Sequence, residues 1–266
     1  MTLPFSKYHG TGNDFIIIDN RLIQWKPTLE QVSFLCDRHF GIGADGLMLL
    51  SDKTRFDFAM TYYNSDGNES TMCGNGGRCM TAFAKTLGLV DDSAHFWAID
   101  GAHEAIVLTG PDESLYKLRM KDTEIGHVYH DGIFTDTGSP HFVQFVDDAA
   151  ATDVFGLGKK SRNDPRFAPG GSNVNFVEVL EEGLFVRTFE RGVENETLSC
   201  GTGVTASALA HAFTNPDNPG FYMIKTLGGA LSVSFKQTGK HFTDVWLEGP
   251  AKFVYKGVIN NIDKIE

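Results

Sequence analysis

Cys73 and Cys200 stand in matching surroundings. One opens Cys73-Gly74-Asn75-Gly76, the other Cys200-Gly201-Thr202-Gly203, and a glutamate, Glu69 or Glu196, precedes each by four positions. Small and apolar residues follow both. A thiol at the mouth of a helix meets backbone N–H groups that lack a partner within the helix, together with the positive end of the helix dipole. Both favour the thiolate. Two such thiols, one in each half of the chain, suggest a symmetric pair serving one small substrate. Cysteine is more often an inert apolar residue, and that reading suits Cys36 and Cys79. Zinc would need further ligands, and neither a close cysteine pair nor a histidine pair accompanies these thiols, so no metal is expected. The two Gly-polar-Gly strings do not fit a nucleotide P-loop. Each could be a tight turn, or a nest of backbone N–H groups for a carboxylate.

The match extends beyond the cysteines, which lie 127 positions apart. Gly12-Asn13-Asp14-Phe15 has a counterpart in Gly138-Ser139-Pro140-His141-Phe142, and Asn64-Ser65-Asp66-Gly67 has one in Glu190-Arg191-Gly192, each at an offset of 126. A period this long predicts duplicated half-molecules rather than a solenoid, with a ligand cleft where the copies meet. His141 lies in a repeated string at the start of a strand, a candidate for tuning a nearby thiol. The polar strings at Asn64 and Glu190 are placed at the cleft.

The elements that must position these residues are mostly strands. Phe15–Ile18 reads as a short buried strand, and Phe56, Phe58, Met60 and Tyr62 alternate as a half-buried one. Similar runs recur to Val245–Leu247, separated by turn residues. Thr28-Leu29-Glu30-Gln31 has capping-box spacing ahead of an apolar stripe at Leu29, Val32, Leu35 and Cys36. The segments after Cys73 and Cys200 would be apolar nearly all round as helices, and such helices are buried. The expected fold is therefore α/β: two pseudo-symmetric domains, each wrapping strands around one buried helix. The first spans residues 1–122 and the second 123–255.

Composition narrows the partners. A net charge of −11 argues against nucleic acid. No apolar run approaches the length of a membrane span, and residues 1–7 lack a signal core. A cytoplasmic location with reduced cysteines is expected.

The ordered set of strings resembles the diaminopimelate epimerase family. Lys7-Tyr8-His9-Gly10-Thr11-Gly12-Asn13-Asp14-Phe15, Gly41-Ile42-Gly43-Ala44-Asp45-Gly46, Asn64-Ser65-Asp66-Gly67, Met72–Cys79, Asn173-Val174-Asn175-Phe176, Glu190-Arg191-Gly192, Leu198–Gly203 and Glu248-Gly249-Pro250-Ala251 all occur in the family's order. The resemblance implies an isomerase free of pyridoxal and metal. It would interconvert LL- and meso-2,6-diaminopimelate on the route to lysine and the cell wall, usually as a homodimer. It also implies that the tail, 256–266, returns to the first domain and that Tyr255 lies at the dimer interface. By position, Cys73 and Cys200 are the acid–base pair, donor and acceptor respectively in the LL-to-meso direction. Asn13, Asn64, Gly74, Asn75, Asn173, Glu190, Arg191, Gly201 and Thr202 match substrate-binding positions, and His141 and Glu190 match groups that tune the thiols. Ser139 and Gly46 depart from residues common in the family, Asn and Gln.

Three rival readings stay open on the sequence. A proline racemase or hydroxyproline epimerase shares the paired-cysteine logic, but it would place a histidine after Cys-Gly where this chain has Asn75. The others are a non-catalytic amino-acid-binding protein on the same scaffold and a thiol redox protein.

Overall fold

A computed structural model describes residues 2–109, 114–215 and 217–262. The chain divides into two compact units, Met1–Leu118 with Gly249–Glu266, and Arg119–Glu248.

The first unit begins with β1 (Thr2–Gly10) and β2 (Asn13–Asp19), then α1 (Leu29–Cys36), β3 (Gly46–Ser51), β4 (Phe58–Asn64), β5 (Glu69–Ser70), α2 (Gly74–Thr86), β6 (Ser93–Ala98), β7 (Gly101–Thr109) and β8 (Ser114–Arg119). The second contains β9 (Thr123–Tyr129), β10 (Gly132–Asp136), β11 (Pro140–Phe145), α3 (Val154–Arg162), a 3₁₀ turn (Pro165–Phe167), β12 (Asn173–Leu180), β13 (Gly183–Glu190), β14 (Asn195–Thr197), α4 (Gly201–Thr214), β15 (Phe221–Thr226), β16 (Gly229–Thr238) and β17 (His241–Pro250). β18 (Lys252–Asn260) then pairs antiparallel with β1 from Asn260 opposite Thr2 to Lys252 opposite His9. This ladder brings the chain back to the first unit at Gly249, earlier than the expected 256, and the division between units falls after Leu118 rather than 122.

The pairing scheme occurs twice. In the first unit β1 and β2 are antiparallel, β2 and β3 parallel, β3 and β4 antiparallel, and β4 and β6 parallel. In the second, the same relations hold for β10 with β11, β11 with β12, β12 with β13, and β13 with β15. The helices α1 and α3 occupy equivalent places, as do α2 and α4. The fold is mixed α/β, strand-rich and pseudo-symmetric.

Alternation along the strands assigns two faces. Ile16, Ile18, Leu47 and Leu49 join Val32 and Leu35 of α1 in one core. Phe142, Val174, Phe176 and Phe189 join Val154 of α3 in the other. The intervening residues of β11, β12 and β13, among them His141, Asn173, Asn175 and Thr188, lie on the face that α4 covers. Gly74 to Ala84 of α2 are all buried, and α4 is buried throughout its first ten residues except Thr202. Both helices are enclosed because nearly every face carries small or apolar residues. The chain's first helix follows its sequence signal: Thr28 Oγ1 accepts from Gln31 N–H, and the Gln31 side chain accepts from Thr28 N–H.

Candidate active site

Each repeated cysteine is the N-cap residue of its buried helix, with extended backbone (φ −91°, ψ 133° at Cys73; φ −113°, ψ 112° at Cys200) and no side-chain capping bond. The helical ladders begin with Gly77 N–H on Cys73 O at 2.7 Å and Val204 N–H on Cys200 O at 2.9 Å. The amides of Gly74 to Gly76 and of Gly201 to Gly203 therefore have no partner within their own helix, and the helix dipole points positive at the sulfur.

In the first unit the hairpin joining β1 and β2 turns through Thr11 and Gly12, both at positive φ, 49° and 85°. A two-residue hairpin of type I′ requires this sign at both positions. For a β-branched threonine it is a strained conformation held by its surroundings. The turn delivers Asn13, whose Oδ1 accepts from Cys73 Sγ at 3.6 Å and from Asn75 Nδ2 at 3.3 Å. Asn13 Nδ2 donates to Asp45 Oδ2 at 2.6 Å, and that carboxylate also accepts the Asp14 backbone N–H. Arg38 bridges Asp14 and Asp45 at 2.7 Å each, and Lys7 pairs with Asp14 at 2.7 Å and donates to the Gly43 carbonyl. Burial pushes the Asp14 carboxyl up, but hydrogen bonds and charge from Arg38 and Lys7 outweigh it and hold the group at about 2. Asn64 ends β4 directly opposite Gly46 on β3. A Cβ at Gly46 would stand 2.5 Å from the Tyr62 ring and the Tyr63 carbonyl, so these tyrosines occupy the room a longer residue would need.

In the second unit Cys200 Sγ lies 3.5 Å from Thr202 Oγ1, and Thr202 Oγ1 lies 2.9 Å from His141 Nε2. Asn175 Nδ2 is 3.0 Å from His141 Nδ1, and its Oδ1 accepts from Thr188 Oγ1 at 3.0 Å. The Asn175 amide donor also reaches the Phe142 carbonyl, which fixes its orientation and makes His141 Nδ1 an acceptor. The imidazole proton then sits on Nε2 and is donated to Thr202 Oγ1, leaving the threonine hydroxyl proton for the Cys200 sulfur. His141 is fully buried. Burial pushes its imidazole down to about 3, and the Arg191 charge adds to the shift. The ring is neutral at neutral pH. Parallel pairing of β11 with β12 sets His141 beside Asn173. Asn173 donates to Ser139 Oγ at 3.1 Å and to Pro140 O at 2.9 Å, and accepts the Arg191 backbone N–H at 2.8 Å. Ser139, shorter than the asparagine common there, still accepts from Asn173. Glu190 Oε2 accepts from Thr197 Oγ1 at 3.0 Å.

Registers align the two half-sites: Asn13 with Ser139, Phe15 with His141, Gly46 with Asn173, Asn64 with Glu190, and Cys73 with Cys200. The upstream glutamates lie on equivalent short strands, and Glu196 forms a two-point pair with Arg187 at 2.7 Å. All four cysteines carry free thiols. Cys36 and Cys79 are enclosed, and burial pushes the Cys36 thiol up to about 12 and Cys79 further up. Sequence reasoning left Thr11, Asp45, Arg78, Asn175 and Thr188 without roles. Asn175 had a signal, since it stands two positions after Asn173 and so shares its strand face.

Known proteins agree with this architecture. The family model for diaminopimelate epimerase matches residues 5–109 and 133–254. A diaminopimelate epimerase of Flavobacterium psychrophilum is 49% identical over 95% of this chain and 98% of its own length. Another from Chlorobaculum tepidum is 41% identical over 94% and 98%. Among solved structures, a phenazine biosynthesis protein of the PhzF family from Bacillus anthracis covers 97% of this chain and 99% of its own, with a TM-score of 0.78 at 14% identity. A probable proline racemase from Agrobacterium radiobacter covers 97% and 93%, with a TM-score of 0.72 at 14% identity; these two likenesses are of fold. With its sequence matched in both halves and at full length, this chain belongs to the diaminopimelate epimerase family.

Proposed function

We propose that this chain interconverts LL- and meso-2,6-diaminopimelate without a cofactor, with Cys73 and Cys200 as the two bases. The observation that carries the reading is the duplicated half-site: a cysteine caps a buried helix in each unit, and polar side chains converge on each sulfur. Inversion requires a proton to leave one face of the α-carbon and another to arrive at the opposite face. One thiolate and one thiol meet this need, exchanging roles with direction. From LL to meso, Cys200 is the acceptor and Cys73 the donor.

The α-proton is weakly acidic, so the negative charge that develops must be stabilised electrostatically. The first-turn amides at Gly74 and Asn75 and at Gly201 and Thr202 are suited to the α-carboxylate, and one preorganised donor of this kind is typically worth on the order of 3 kcal/mol. Asn13, Asn64, Asn173, Glu190 and Arg191 bind the rest of the substrate, with the guanidinium fork of Arg191 suited to the distal carboxylate. His141 acts on Cys200 through Thr202, and Glu190 contributes to thiol tuning. The same reading makes the protein a cytoplasmic homodimer with Tyr255 at the interface. Among the described residues no helix is long and apolar enough to cross a membrane.

Incubation with LL-diaminopimelate in heavy water tests the proposal. Deuterium should enter at the α-carbon as meso isomer forms, with no pyridoxal absorbance and no loss of rate with chelators. Cys73→Ala and Cys200→Ala should each abolish interconversion. Full turnover by either variant would refute the two-base scheme, and turnover of proline instead of diaminopimelate would overturn the substrate.

A further inference from the structure

Arg78 is the largest fully buried side chain among the described residues. Its guanidinium makes no pair with a carboxylate among the described residues. It donates from Nη2 to Asn75 Oδ1 at 2.8 Å and to Thr11 Oγ1 at 3.5 Å, from Nη1 to Gly74 O at 3.3 Å, and from Nε to Pro250 O at 3.4 Å. Every one of these partners is neutral. β1 passes close by: a Cβ at Gly10 would stand 3.3 Å from Arg78 Nη2 and 3.1 Å from Asn75 O. A charged group enclosed among neutral acceptors is costly unless an opposite charge offsets it. A thiolate at Cys73 would be such a charge: Arg78 holds Asn75, whose Nδ2 shares with Cys73 Sγ the acceptor Asn13 Oδ1, and the guanidinium interacts electrostatically with Cys79 and with Cys73.

The second unit does the equivalent task differently. Thr202, the counterpart of Asn75, is held by Thr137 through its carbonyl at 2.9 Å and by neutral His141 through its hydroxyl at 2.9 Å. The position equivalent to Arg78 is Thr205, buried and bonded to Gly201 O at 2.9 Å. The residue two places after the cysteine is thus locked in both halves, by a cation in one and by a neutral ring in the other.

We propose that Arg78 is a positioning residue that locks Asn75 beside Cys73 and supplies the buried positive charge that favours the Cys73 thiolate. The proposal rests on the reading of Cys73 as a base and adds a cause of its reactivity. Other charged and titratable groups of this unit have partners of their own. On α2, Cys79 is buried and protonated. On β1 and β2, Lys7 and Asp14 pair with each other at 2.7 Å, and His9 accepts from Gly12 N–H at 3.4 Å. On β7, His103 pairs with Asp100 at 3.1 Å, and Asp100 accepts from Met72 N–H. Tyr62 on β4 is directed against the Phe15 ring.

The test is the rate at which iodoacetamide alkylates Cys73 across a pH series, read by peptide mass spectrometry on the full-length protein, with Cys200 as internal control. In a folded Arg78→Met variant the Cys73 rate at pH 7 should fall about tenfold as its profile moves up by about one unit, with Cys200 unchanged. Arg78→Lys keeps the charge but loses the fork. Its Cys73 profile should stay close to wild type, while kcat for epimerisation falls with little change in KM. In wild type the Cys73 profile should not move between about 0.1 M and about 1 M salt, because a buried charge is poorly screened. An unchanged Cys73 profile in folded Arg78→Met overturns the proposal. If Arg78→Met does not fold, loss of Cys73 reactivity in Arg78→Lys overturns it. If neither variant folds, a salt-dependent wild-type profile does so. Alkylation needs no substrate, so lack of turnover on diaminopimelate would sink the substrate assignment and leave this measurement standing.

Discussion

His141 shows how burial sets the state of one side chain and how that state costs stability. Its imidazole is held down to about 3 in the folded protein, against an ordinary value near 6.5 in the unfolded chain. Between these values the unfolded chain binds a proton that the folded protein refuses. Stability contributed by the neutral ring is therefore present above pH 6.5 and is lost as pH falls toward 3, at about 1.4 kcal/mol per pH unit. His141→Gln removes the titration and keeps a donor and an acceptor. Urea unfolding should show wild type losing about 2 kcal/mol relative to this variant on going from pH 7 to pH 5. Parallel curves for the two proteins would mean that His141 takes up its proton in the folded state over the same pH range as in the unfolded chain. The sequence singled out His141 by its place in a repeated string. Asn175 was marked only as sharing a strand face with Asn173; its bond to the ring was not legible, because a side-chain bond between adjacent parallel strands leaves no local pattern.

At the scale of elements, the start of each buried helix depends on a glycine that lets strand side chains come close. A Cβ at Gly203 would stand 3.2 Å from Thr188 Oγ1 and 3.3 Å from the Cys200 Cβ, and closer still to Asn175 Oδ1. Gly203→Ala should therefore displace the amide that orients His141. Overpacking of this kind costs about 1–3 kcal/mol, and activity should fall along with the melting temperature. Gly239, at φ 61° with nothing within 4 Å of an added Cβ, is the control: Gly239→Ala should strain its turn and leave activity unaltered. Equal losses of activity in the two variants would show that the helix start tolerates a methyl group. The elements legible in the sequence were those with a local mark: the capping box of α1, the all-round apolar runs of α2 and α4, and the alternation in β4. α3 had no such mark, because it buries only Val154 and Gly158 and leaves Phe155 and Leu157 about half exposed. β3 is buried along almost its whole length, and its Gly46–Leu50 run lacks the period of a half-buried strand. β18 is defined by pairing with β1 more than two hundred positions away, beyond any local pattern.

At the scale of the whole molecule, one scheme of strands and helices has been used twice while the charges diverged. The first unit supports its cysteine with ionised groups, Arg78 behind Asn75 and Asp45 with Arg38 behind Asn13. The second relies on the neutral series Thr188, Asn175, His141 and Thr202. A duplicated frame can hold two thiols in matching backbone settings while their surroundings differ. The first unit also carries an apolar strand that its own fold leaves uncovered. On β18, Phe253, Val254, Tyr255 and Val258 are about half exposed, with the Tyr255 and Phe253 rings edge-on to Phe5 and Tyr8 at 5.9 and 5.5 Å. Exposed apolar side chains on both faces of the strand favour association, and a second copy of the chain is the partner proposed above. Sedimentation at micromolar concentration should find the wild type dimeric. Tyr255→Lys combined with Val258→Lys, which places two like charges on the strand, should shift it to monomer while circular dichroism stays unchanged. A monomeric wild type would remove β18 from the interface, and a variant that stays dimeric would move the contact to another surface.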